Sequence, residues 1–103
     1  MISIIKLMRD GSLETLNLNV PINLELLATF INNGQTCINE LDIIYTHEYR
    51  LKIYGSNNKH LLMENKHEIP INYNKIFFGD LLIIKYNIDD QIDSFELKEY
   101  LNL

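Results

Sequence analysis

Cysteine is nearly absent: Cys37 is the only one in 103 residues. A single thiol excludes an internal disulfide framework and any cluster held by several thiolates. It also suits a reducing compartment. Clustered cations are missing too. Lysine and arginine total 9 against 14 aspartates and glutamates, and they stand singly from Lys6 to Lys98. A formal charge of −5 argues against a phosphate-binding surface, so no nucleic-acid partner is expected. No run of about 18 apolar residues occurs, so no direct membrane insertion is expected. The N-terminal stretch reads as strand rather than as a secretory leader. Glycine and proline number only four and two. What remains is 47% hydrophobic and 22% charged, the composition of one globular domain with one core.

The centre of the pattern is Phe78-Gly79-Asp80-Leu81-Leu82-Ile83-Ile84-Lys85-Tyr86, a short apolar run opened by a Gly-Asp turn. It reads as a strand covered on both faces. Upstream, the apolar stretch Ile2 to Met8 and the alternating Leu16, Leu18 and Val20 flank the turn Arg9-Asp10-Gly11-Ser12, which predicts a β-hairpin. The preferred register turns Ser3, Ile5 and Leu7 to the core and leaves Ile2, Ile4 and Lys6 on the outer face. Pro21 ends the second strand. Asn23 then caps a helix of roughly ten residues, whose face is Leu24, Leu27, Ala28 and Ile31 and whose stop is Asn33-Gly34.

Residues 35–41 read as a loop. From Ile43 to Ile53 one phase holds Ile43, Tyr45, His47, Tyr49, Leu51 and Ile53, the pattern of one long strand. Gly55-Ser56-Asn57-Asn58 is a turn and His60 to Met63 a short strand. Pro70 makes its surroundings an edge or irregular connection, and Asn72 to Lys75 a tight turn. The last strand is apolar enough to lie between others. Placed beside the first, it runs parallel to it under the helix. The expected fold is α+β: a β-grasp, with a mixed sheet of four to five strands, one packed helix and a short C-terminal helix. Residues 1–88 form the domain and 89–103 an acidic tail. In that tail Asp93-Ser94-Phe95-Glu96 resembles a capping box, with Ile92 and Leu97 as a hydrophobic staple. Leu97, Tyr100 and Leu101 then share a helical face, which docks on the domain or on a partner.

These segments resemble ubiquitin-like proteins over most of the chain. The likeness rests on Met1 to Lys6, on Asn23-Leu24-Glu25 at the helix start, and on Arg50 to Gly55 as third strand and turn. Within that superfamily the chain is most similar to the YukD/EsaB family, small bacterial accessory proteins of type VII secretion. The residues that carry this are Val20-Pro21, Leu51-Lys52-Ile53, Leu61-Leu62-Met63-Glu64-Asn65 and Gly79 to Ile84. The long loop before the third strand and the tail after Asn87 depart from the pattern. The resemblance implies a cytoplasmic accessory or regulatory component whose partner is the cytoplasmic part of a membrane secretion machine. The chain ends Tyr100-Leu101-Asn102-Leu103, without the Gly-Gly end that modifiers and sulfur carriers activate. Lys52 and Lys85 fall where ubiquitin's receptors read apolar residues, which such a receptor would have to desolvate at a cost of several kcal/mol. Two alternatives share the fold. One is a UBX-like adaptor for a AAA unfoldase, although the Phe-Pro-Arg docking turn is replaced by Gly55-Ser56-Asn57. The other is a viral or plasmid ubiquitin-like protein with its own partner.

No residue set suggests catalysis, so the chain is not expected to be an enzyme. His47, His60 and His67 lack metal-ligand spacing, Cys37 lacks an activating histidine by signature, and Asp89, Asp90 and Asp93 read as a solvated run before a helix. No cofactor or metal is expected. Phe77 and Phe78 read as core. The expected protein-binding residues are Lys52, Ile83 and Lys85 with Ile2 and Ile4 on an outer sheet face, and Leu97, Tyr100 and Leu101 on the tail.

Overall fold

The computed structural model describes residues 1–19, 21–31, 38–56, 64–67 and 76–103. Strands β1 (Ile2–Leu7) and β2 (Leu13–Leu18) form the expected hairpin, Ile2 opposite Leu18 and Leu7 opposite Leu13. Gly11 supplies the positive φ of 101° that the connecting turn needs. Helix α1 spans Leu24–Ala28, half the expected length. Asn23 caps it, accepting the Leu26 amide at 2.8 Å. The chain then tightens, since the amides of Thr29, Phe30 and Ile31 each donate to the carbonyl three residues back. Leu27 and Ile31 still reach the core, while Leu24 stays half exposed. The expected stop at Asn33-Gly34 lies outside the described residues, as do the short strand at 60–63, the Pro70 connection and the turn at 72–75.

The stretch read as one long strand is two. Strand β3 (Asn39–Tyr45) takes in residues expected to be loop, and β4 (Tyr49–Gly55) returns beside it. Thr46 makes the reversal. Its amide donates to Tyr49 O at 2.9 Å, and its Oγ1 accepts the Tyr49 amide at 3.1 Å. The turn also breaks the phase. Ile44 pairs with Leu51 and Ile43 with Lys52, so Ile43 and Tyr45 face away from Leu51 and Ile53. Gly55 closes β4 as a strand residue. A Cβ there would meet Leu81 Cδ2 at 2.8 Å and Leu41 Cδ1 at 3.1 Å.

Strand β5 (Leu81–Asn87) lies between β1 and β4, as its composition demanded, and Leu81 to Ile84 are fully buried. A two-residue strand, β6 (Ile92–Asp93), pairs with its far end. The order is β2-β1-β5-β4-β3, with β6 on β5. Every pairing among the described residues is antiparallel. This corrects the mixed sheet and the parallel neighbour expected for β1. The Thr46 turn runs β4 back along β3, and β5 lies antiparallel to both β4 and β1.

Both sheet faces are covered, which corrects the hairpin register. Ile4 does not point outward. With Leu18, Tyr54, Leu82 and Ile84 it packs under Leu27 and Ile31. Ile5 and Leu7 face the opposite layer, with Leu51, Ile53, Leu81, Ile83, Phe77, Phe95 and Tyr100. The second layer is closed by helix α2 (Leu97–Leu101). Its cap is Glu96 with Glu99 in a capping box, three residues beyond the one expected, because Ile92 and Asp93 are already committed to β6. Among the described residues the fold is a small α+β sheet of six strands with a short helix on each face.

Candidate interaction surfaces

The expected outer-face residues do not share a surface. Ile2, Ile4 and Lys52 lie on the α1 side, and Ile83 and Lys85 on the tail side. Ile4 and Ile83 are fully buried. Each lysine is clamped to its own sheet face. Lys52 Nζ sits 4.4 Å from the Tyr86 ring centroid and 3.3 Å from Glu40. Lys85 Nζ sits 4.6 Å from the Tyr49 ring and 3.0 Å from Glu99. An ammonium over an aromatic face and beside a carboxylate is held by both, while its stem covers apolar surface. Burial raises the Glu99 carboxyl, but its bonds from Lys85 and the Glu96 amide outweigh that and leave it below the ordinary value.

On the tail, Tyr100 is buried edge-on to Phe95, with centroids 6.4 Å apart at 86°. Leu97 and Leu101 are 36% and 64% exposed. The helical face expected from spacing is therefore split, and the anchor is Phe95, fully buried one residue before the cap. The Ser3 amide donates to Ser94 Oγ at 3.0 Å, and the Phe95 amide donates to Ser3 O at 2.9 Å. These bonds take up β1 backbone groups that β5 does not reach.

A second polar joint lies at the opposite end of β1. Asn65 is buried, and its Nδ2 donates to Leu7 O at 3.1 Å and Gly79 O at 2.8 Å. Its Oδ1 accepts the His67 amide at 2.9 Å. Gly79 holds a φ of 75°, which a side chain would strain. Asp80 accepts the Arg9 amide at 2.9 Å. Nothing in the periodicity marked Asn65 as buried, because polar residues between breaks read as solvated loop.

At the far end of the sheet two turns stand side by side. The β3–β4 turn carries His47 and Glu48. The β5–β6 turn carries Ile88, Asp89 and Asp90, with Asp90 at a φ of 63°. Asn87 Oδ1 accepts the amides of Asp89 and Gln91, each at 3.0 Å, and Arg50 pairs with Asp90 across the gap. Between the turns lies a shallow depression of about 260 Å³, lined by Tyr45, Glu48, Tyr49, Arg50 and Ile88 among others. Tyr45 is 69% and Ile88 86% exposed. Neither was expected as a binding residue; Tyr45 reads in sequence as part of a strand face and Ile88 as the last residue before the acidic tail.

Among the described residues, no three His, Cys, Asp or Glu side chains converge where a metal ion could sit. No described helix is long and apolar enough to cross a membrane. No protein-family model, curated protein or solved structure matches this chain.

Proposed function

We propose that the chain is a non-catalytic protein-interaction module, acting in the cytoplasm as an accessory or regulatory component of a bacterial type VII secretion system. The observation that carries the interaction reading is the placement of Tyr45 and Ile88. Two large apolar side chains stand exposed on either side of one depression, while the buried polar groups Asn65 and Ser3 are spent on holding loop and tail. Tyrosine and arginine beside apolar surface are the side chains that most often anchor protein contacts.

What supports the secretion role is the resemblance to the YukD/EsaB family. Asn65 and Gly79, one residue from each of two segments that carry it, are joined by a hydrogen bond. The β-grasp plan itself is supported by a hairpin beside β5 with helix α1 over one face. The antiparallel β5 and the added β3 are departures from it.

The test is retention from lysate of the source cell on a tagged copy, read by mass spectrometry. Membrane secretion components are the expected catch, lost on Tyr45→Ala with Ile88→Ala. Recovery of an unfoldase, or of nothing specific, overturns the secretion role.

A further inference from the structure

The depression between the two turns mixes apolar and polar lining, and both turns at its rim carry carboxylates. Glu48 and Arg50 line it, and Asp89 and Asp90 follow Ile88 on the β5–β6 turn. Arg50 is already paired with Asp90. Glu48 and Asp89 are exposed and make no ion pair among the described residues. Tyr45 adds an open ring, which attracts a cation by its quadrupole. The whole chain carries −5, so approach of a cationic partner is favoured before contact and that of an acidic one is not.

We propose that this depression docks a cationic, amphipathic peptide segment of a partner protein, with an apolar side chain seated between Tyr45 and Ile88 and lysine or arginine side chains on Glu48 and Asp89. The proposal rests on the interaction reading above and names the chemistry of the partner. An anionic lipid surface or a nucleic acid is disfavoured at the same rim, because neither can neutralise free carboxylates. A contact this small binds weakly and exchanges fast, so its affinity depends on salt.

The experiment titrates the whole chain with a short peptide of alternating lysine and leucine, followed by amide chemical shifts. Residues 45–49 and 87–90 are expected to move first. Glu48→Lys with Asp89→Lys is expected to weaken binding about tenfold or more. Glu14→Lys with Glu25→Lys makes the same change in net charge at other exposed positions, and is expected to shift affinity less than about threefold. Tyr45→Ala with Ile88→Ala should also lose binding, with the melting temperature of all three variants near that of the parent. Equal weakening by both charge pairs, or shifts centred elsewhere, overturns the site. If the Tyr45→Ala, Ile88→Ala variant still retains the lysate partners, this site falls and the interaction reading stands. If the parent chain retains nothing, both fall.

Discussion

At the scale of single residues, the buried polar side chains say most about how the fold is held. Asn65 gives both amide protons to carbonyls of different segments, Leu7 and Gly79. Asn65→Ala would leave those acceptors without partners, and is expected to cost about 2–3 kcal/mol in urea unfolding. Tyr54 is a second case. Burial, reinforced by its 3.0 Å contact with the Tyr86 hydroxyl, pushes its phenol well above the ordinary value. Burial also raises Tyr100. A raised folded value means that the stabilisation is present below the unfolded pKa of about 10 and is lost as pH rises past it. Spectrophotometric titration should show Tyr54 and Tyr100 ionising only as the chain unfolds in alkali, and Tyr54→Phe should remove its share of that delayed signal. Neither Asn65 nor Tyr54 announced its role in the sequence. Hydrophobic periodicity says which face is buried, whereas a polar bridge depends on which loops meet.

At the scale of elements, the tail and the sheet are one unit. Strand β6 extends the β5 edge, Phe95 enters the core and α2 covers it. A helix of five residues cannot persist alone, so its stability is that of its anchors. Deleting residues 93–103 removes Phe95 and Tyr100, and is expected to lower stability by at least ~3–5 kcal/mol, as loss of one buried aromatic alone would. An unchanged melting temperature would refute the docked tail. The Lys85–Glu99 pair adds a pH term. Glu99 lies below its ordinary value when folded, so its contribution is present above the carboxylate range and is lost as pH falls through the folded value. Acid titration of stability should show a flatter slope for Glu99→Gln. The tail helix was legible in its existence and in Tyr100. Its start was three residues late, because capping-box chemistry recurs: Asp93 with Glu96 fits as well as Glu96 with Glu99, and strand pairing of Ile92 and Asp93 chose between them.

At the scale of the whole molecule, β5 is the axis. It is paired on both edges and covered on both faces, so amide exchange should be slowest at Leu81 to Ile84 and faster in β2 and β3, each of which has one strand partner among the described residues. Comparable protection across all the strands would count against that arrangement. The sequence by itself determined much of the inventory: the first hairpin, the Asn23 cap, a buried β5 and an acidic net charge. These follow from local propensities and summed charge. Strand direction, the faces of Ile4 and Lys52, and the notch at Tyr45 and Ile88 were decided only by the tertiary structure. Alternation with period two reads the same through the Thr46 turn as along an unbroken strand. The reversal hidden there puts Ile43 and Tyr45 on the face opposite Leu51 and Ile53, because side-chain alternation carries no sign of chain direction.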